Sequence, residues 1–317
     1  MESIEDWAGK IFAGDPRAIG KAISAIENGD PSSDALLKAL FPRTGGALIA
    51  GITGSPGTGK STLTDKLALH YREQGKTLGI IAVDPTSPFT GGAILGDRIR
   101  MPALSTDEGV YIRSMATRGR LGGLASATLD AVSVLEAAGK DIILVETVGV
   151  GQDEVEIAEL ADVTLLLLVP GSGDSIQSFK AGVMEIADVF VVNKADYEGA
   201  DRLVREVTAL IELAPPENPW TPPIVSTVAT TGEGVDRLAQ AIGDFSDFSR
   251  EKELAQARLR RRWRKRLVEL LERRLVQSVM EGRVSSEELS GYVEDIVARK
   301  QDPYSVVEEM MRRAGLN

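Results

Sequence analysis

The sequence predicts an α/β fold: a mostly parallel central sheet flanked by helices, with helical extensions at both ends. Three observations carry that expectation. From residue 45 to about 245, short runs rich in Val, Ile and Leu alternate with helical patterns. Those runs show no period-two alternation, as expected of strands whose sheet is covered on both faces. Between the first run and the first helix of this region stands Gly54-Ser55-Pro56-Gly57-Thr58-Gly59-Lys60-Ser61, which spells the phosphate-binding P-loop G-x-x-x-x-G-K-S.

The elements follow in order. Residues 1–44 read as a helical extension. Asp15 is an N-cap with Pro16 at the first helical position, and Gly29 ends the helix. Between them Ile19, Ala22, Ile23 and Ile26 recur at helical spacing. Leu36, Leu37, Leu40 and Phe41 mark a second short helix. Strands are expected at 48–53, 78–83, 110–113, 142–146, 163–169, 189–192 and 224–227, with a helix at 61–72 and crossover helices between most of the others. Residues 214–223 hold five prolines and make a stiff extended connector.

Beyond residue 246 the chain turns charged and helical. Leu259, Trp263, Leu267, Leu270, Leu271 and Leu275 form an apolar stripe on one long helix, and Gly282 marks a break. Helices near 286–299 and 303–313 follow. Three regions result: 1–44, a nucleotide-binding domain over 45–245, and 246–317. The stripe in the last suits packing on the nucleotide domain or on a second copy.

Composition narrows the function. The 317 residues are 43% hydrophobic, enough for a sizeable core, and carry a net charge of −11. That charge argues against a nucleic-acid binder, which needs a positive footprint. Seven of the nine residues from 258 to 266 are basic, and we read them as a solvated face paired with acidic surface. With no cysteine there are no disulfides and no thiolate metal site. No apolar run reaches the roughly 18 residues that a membrane span needs. The acidic start lacks the apolar core of a signal peptide, so a cytoplasmic protein is expected.

In such a sheet, ligands bind at the carboxyl ends of the strands, and the chemistry-bearing residues fall there. In the P-loop, glycines let consecutive backbone N–H groups curl around phosphates. Residues Gly54 to Thr62 would therefore hold the nucleotide, with Lys60 on its terminal phosphates and the Ser61 hydroxyl on Mg2+ at a helix N-terminus. Asp84, ending the second strand, and Asp97, in the glycine-rich stretch after it, can both reach Mg2+ directly or through its waters. The fourth strand ends in Glu146-Thr147-Val148-Gly149. An acidic residue there holds Mg2+ or its water, and a glycine N–H meets the γ-phosphate. The usual acid is Asp, so Glu146, one methylene longer, suggests contact through water. Gln152 could orient the attacking water.

The sixth strand runs into Asn193-Lys194-Ala195-Asp196, or N-K-x-D. Guanine offers N1–H and its 2-amino group to one carboxylate, and Asp196 can accept both. Adenine lacks those donors and would leave a carboxylate unpaired. Asn193 would meet the carbonyl and N7 side of the base, and the Lys194 stem would cover its face. After the last strand, the Ala229 N–H can meet the guanine carbonyl. GTPases usually carry Ser-Ala where this chain has Val228-Ala229, so Thr227 or Thr230 is expected to replace the lost serine in supporting Asp196.

Several strings together resemble the MeaB/ArgK family, the methylmalonyl-CoA-mutase-associated GTPases. They are residues 51–62, Val83-Asp84-Pro85-Thr86-Ser87, Gly96-Asp97-Arg98-Ile99-Arg100-Met101 and Glu146-Thr147-Val148-Gly149-Val150-Gly151-Gln152, followed by residues 170–177, 184–188 and 193–196. The resemblance covers nearly the whole chain. It implies a P-loop G domain of the type shared with nickel and signal-recognition GTPases, the SIMIBI class. By the resemblance, Lys60, Ser61, Asp84, Asp97 and Glu146 form the phosphate–Mg2+ site. Arg98 and Arg100 lie on a first switch, residues 149–154 on a second, and residues 173–180 on a further one that signals nucleotide state.

The function implied is GTP hydrolysis that gates adenosylcobalamin loading into an acyl-CoA mutase and protects that enzyme. The chain itself would bind GTP, GDP and Mg2+ but no cobalamin, and would form a homodimer through its C-terminal helices. Two other readings fit less of the sequence. A nickel metallochaperone would need more than one histidine, His70, in a chain with no cysteine, and an amino-acid-transport kinase finds no kinase catalytic loop here.

Overall fold

The structure is a computed structural model. It describes residues 2–84, 101, 103–116, 123–147, 149, 153–171, 184–213, 219–280 and 285–315. The chain forms two compact units, Met1–Leu259 and Arg260–Asn317.

The first unit opens with three helices, α1 (Ile4–Phe12), α2 (Pro16–Asn28) and α3 (Ser32–Leu40). Helix α2 has the ends its sequence predicts. The Asp15 carboxylate accepts from the Arg17 and Ala18 N–H groups, and Gly29 closes the helix in the left-handed conformation. Phe41 departs from the expected stripe. It lies in a single 3-10 turn, Phe41–Arg43, and is 56% exposed.

Seven strands follow: β1 (Leu48–Gly54), β2 (Leu78–Asp84), β3 (Val110–Ala116), β4 (Ile142–Glu146), β5 (Val163–Leu168), β6 (Val189–Asn193) and β7 (Ile224–Thr227). All seven lie where the apolar runs place them, and β3 is three residues longer than expected. Every pair is parallel, in the order β3-β2-β4-β1-β5-β6-β7. The P-loop strand β1 is thus the centre of the sheet.

Helices α4 (Lys60–Glu73) and α8 (Val235–Glu251) cover one face through Leu63, Leu67, Leu238 and Phe245. Helices α5 (Gly123–Ala137), α6 (Asp153–Leu160) and the N-terminal three cover the other. Helix α7 (Ala200–Leu213) continues that face over β5 and β6. The N-terminal extension therefore shares one apolar core with the sheet.

At the strand starts, opposite the P-loop, a buried ion pair joins several segments. The Asp188 carboxylate accepts from Thr164 N–H at 2.9 Å and from both terminal nitrogens of Arg258 at 2.7 and 2.8 Å. Arg258 also donates to the Asp162 carbonyl and covers the Phe245 ring. The Asp188 carbonyl accepts from Trp220 Nε1 at 2.9 Å, which fixes the end of the proline-rich connector. Burial raises the Asp188 pKa against the lowering by Arg258. Burial likewise opposes the Arg258 charge, but the Asp188 hydrogen bonds together with the charges of Asp188 and Asp162 outweigh it and raise that pKa. With three N–H donors on its two oxygens, the carboxylate is held ionised.

Helix α9 (Leu254–Met280) begins in the first unit and continues into the second, which adds α10 (Ser286–Val297) and α11 (Pro303–Arg313). Ser285 and Glu288 form a capping box at the start of α10. Within this unit Val306 is buried, whereas Val297 and Tyr304 are 71% and 81% exposed. The helices fall where the stripe and its breaks predict. Among the described residues, no helix is long and apolar enough to cross a membrane.

Two stability predictions follow from these contacts. Arg258→Met leaves the buried Asp188 charge without its main partner and should cost about 3 kcal/mol in urea unfolding of the full chain. Asp107 is held below the usual carboxylate range by its Arg72 hydrogen bonds, and Asp141 by the Thr77 backbone N–H. A lowered folded pKa means this stabilisation is complete above the unfolded value near 4 and is lost as pH falls through the folded one. The urea midpoint should therefore drop below about pH 4, and Asp107→Asn should flatten that drop.

Candidate functional site

The carboxyl ends of β1, β4, β6 and β7 meet around the N-terminus of α4. The P-loop curves from Gly54 to Gly59, where φ is +90° and a Cβ would stand 2.5 Å from Asn193 Nδ2. Only glycine fits there. Thr58 closes the turn by donating its N–H and hydroxyl to the Ser55 carbonyl at 3.3 and 2.8 Å. Lys60 is buried, and its ammonium donates to the Gly54 and Ser55 carbonyls at 2.7 and 3.1 Å. A cation and a helix N-terminus thus share the concave side of the loop, an arrangement made for anions.

Strand β4 lies directly beside β1, with Ile52 paired to Glu146. That register brings the buried Glu146 carboxylate to α4. Oε1 accepts from the Ser61 hydroxyl at 2.6 Å, and Oε2 lies 3.4 Å from the Thr64 hydroxyl. Three residues on, Gly149 takes φ +83°. A Cβ there would fall 1.9 Å from the Gly54 carbonyl oxygen and 2.9 Å from Lys60 Nζ. The chain leaving β4 therefore lies flush against the P-loop.

Strand β6 ends in Asn193, one of the most buried polar residues. Its Nδ2 donates to the Thr58 carbonyl at 2.8 Å, and its Oδ1 accepts from Thr227 Oγ1 and Ala229 N, each at 3.1 Å. Lys194 takes a positive φ of 56° and donates its ammonium to the Gly57 carbonyl at 2.9 Å. Its stem therefore runs from the β6 loop to the P-loop. Asp196 is exposed on the same loop, and Val228 and Ala229 are buried beside it.

The fold thus brings together Gly54 through Thr62, Glu146, Gly149, Asn193, Lys194, Asp196, Val228 and Ala229. The Asp84 backbone ends β2 at the same edge. Its side chain, and residues Asp97, Arg98, Arg100 and Gln152, lie outside the described residues, as do 173–180. The Ala229 N–H and the Thr227 hydroxyl both donate to Asn193 Oδ1. Thr64 was missed. Its spacing of three from Ser61 places both hydroxyls on one helix face, a signal available from the sequence.

The sequence profile of the family described as Methylmalonyl Co-A mutase-associated GTPase MeaB matches residues 19–284. The chain belongs to that MeaB family. A GTPase-named protein of Pyrococcus abyssi is 46% identical over 316 residues, covering 98% of this chain and 96% of its own. The Escherichia coli GTPase ArgK is 34% identical over 291 residues, or 89% of this chain and 87% of that one. The mouse mitochondrial protein named Methylmalonic aciduria type A homolog is 41% identical over 199 residues, 62% of this chain and 48% of its own. Among solved structures, a crystal structure titled LAO/AO transport system kinase matches 98% of this chain and 96% of that one, with a TM-score of 0.69 and 25% identity. This MeaB-family chain is accordingly a P-loop GTPase that binds GTP and GDP.

The Asn193 side chain offers a direct check on the site. Asn193→Ala leaves the Thr58 carbonyl, the Thr227 hydroxyl and the Ala229 N–H without that partner. At about 1 kcal/mol for each bond, urea unfolding of the full chain should lose roughly 3 kcal/mol, and GDP affinity should fall in a fluorescent-GDP titration as the loop loses its support.

Proposed function

We propose that this MeaB-family GTPase is a Mg2+-dependent switch that gates adenosylcobalamin loading into an acyl-CoA mutase, methylmalonyl-CoA mutase foremost, and protects it. The observation that carries the reading is the family match over residues 19–284, which takes in every strand and every site residue named above. The cobalamin belongs to the mutase, and this chain supplies only the nucleotide site. Self-association would run through the C-terminal helices, a reading supported by the exposed Leu267, Leu271, Val293 and Val297.

In the proposed site, Lys60 and the P-loop N–H groups face the β- and γ-phosphates and stabilise the charge that develops on them. Asp196 accepts from guanine N1–H and the 2-amino group, and Lys194 covers the base. Ser61, Glu146, Asp84 and Asp97 would hold Mg2+. The Ser61 hydroxyl against the buried Glu146 carboxylate offers the hard oxygen donors this ion takes. When bound, the ion neutralises charge on the phosphate oxygens. Arg98, Arg100 and Gln152 are the candidates to complete hydrolysis by orienting water or meeting transition-state charge.

The test is GTP hydrolysis by the purified chain, alone and with a purified acyl-CoA mutase. Slow intrinsic turnover should rise when the mutase is added, and gel filtration should show a complex whose stability differs between GDP and a non-hydrolysable GTP analogue. Lys60→Ala should lower the rate by roughly a hundredfold or more. The chaperone reading fails if the mutase neither binds nor changes the rate with either nucleotide.

A further inference from the structure

We infer that Thr64 is a positioning residue for Glu146, fixing the second oxygen of the carboxylate that serves the Mg2+ site. The inference rests on the proposed metal site and adds a residue to it. The Thr64 side chain is fully buried, and its hydroxyl has two acceptors within reach, the Lys60 carbonyl at 2.9 Å and Glu146 Oε2 at 3.4 Å. It carries a single proton. Either bond satisfies it, so the proton can turn to Glu146 without leaving a buried hydroxyl unpaired.

Geometry makes Thr64 and Glu146 a matched pair. Ser61 and Thr64 stand three residues apart on α4, on the same face, and each hydroxyl meets a different oxygen of one carboxylate. Fixing both oxygens sets the carboxylate plane and decides which lone pairs remain for the ion or its water. An aspartate at this strand end would stop one methylene short and could not hold Ser61 and Thr64 together. The longer acid creates the need for a second hydroxyl, and Thr64 meets it. Leu63 and Leu67, both fully buried, flank it on the helix. A valine would fill the Thr64 site equally well, so packing alone does not require the hydroxyl.

The test measures metal binding directly. Mn2+ is titrated into the GDP complex of the full chain, and free Mn2+ is read by electron paramagnetic resonance. Thr64→Val should weaken Mn2+ binding by about three- to tenfold, and Thr64→Ser should stay within about twofold of the parent. In a Glu146→Asp background, Thr64→Val should add nothing further, because the shorter acid has already left it. Unchanged Mn2+ binding in Thr64→Val, or the same loss in both backgrounds, overturns the inference. Should Thr64→Val not fold, Thr64→Ala carries the same comparison. Ser61→Ala separates the two readings. If it too leaves Mn2+ binding unchanged, the metal site itself is misplaced; if it weakens binding and Thr64→Val does not, only the role of Thr64 falls.

Discussion

The nucleotide site depends on one buried amide. Asn193 reaches from the end of β6 to the P-loop on one side and to Thr227, which ends β7, and Ala229 on the other. Each of those segments has backbone groups that its own strand cannot satisfy. A side chain with both donor and acceptor ends settles them together. In so dry a position each bond is strong and each loss is costly. The amide also explains the shape of the loop it touches, because a Cβ at residue 59 would occupy the space of its nitrogen. P-loop curvature and base-loop position are therefore one problem with one solution.

Polar groups are buried at the two ends of this sheet and nearly excluded from its middle. At the strand starts, Asp188 and Arg258 form a pair with fixed partners: two guanidinium bonds, one backbone N–H, and an indole on the adjacent carbonyl. At the strand ends, Lys60 and Ser61 sit on groups that a nucleotide or its ion could replace, and the Thr64 hydroxyl has two acceptors within reach. The difference follows from chemistry rather than position. A bidentate Arg–carboxylate pair is geometrically saturated, whereas hydroxyls and an ammonium rotate to new acceptors at little cost.

How much of this was legible in the sequence varied with the range of the interaction. The strands were legible because both faces of the sheet are covered, which turns each one into an unbroken apolar run. Helix α2 was legible because caps are local chemistry. Strand β3 runs further than expected because its pairing with β2 continues to Asp84 opposite Ala116, a register no single strand reveals. Phe41 misled because Pro42 bends the chain into a 3-10 turn and takes the ring out of the stripe. Arg258 was read with its basic neighbours as a solvated face. It is largely buried, since an acid seventy residues earlier waits at the start of β6. The motif residues of the site were legible by type and spacing, but the partners of Asn193, Thr227 and Ala229 were not. Asn193 meets Thr58, 135 residues earlier, and Thr227, 34 residues later, contacts that only the sheet order brings together.

Lys60 shows how such a loop can be ready for a phosphate. Its ammonium is buried, and a buried charge must be paired or well solvated by dipoles. Here two backbone carbonyls of the loop do the solvating. Those same bonds pull the loop into its curve, so the lysine holds the shape that its ligand will use. In the proposed binding mode, a phosphate offers the ammonium a charged acceptor in place of neutral ones, roughly doubling the strength of each bond. The loop N–H groups gain an anion at the same moment. Little backbone has to be ordered for this exchange, because Asn193 and Lys194 already hold the loop through the Thr58 and Gly57 carbonyls. Binding is then an exchange of partners within a formed cradle, and its free energy is not spent on building one.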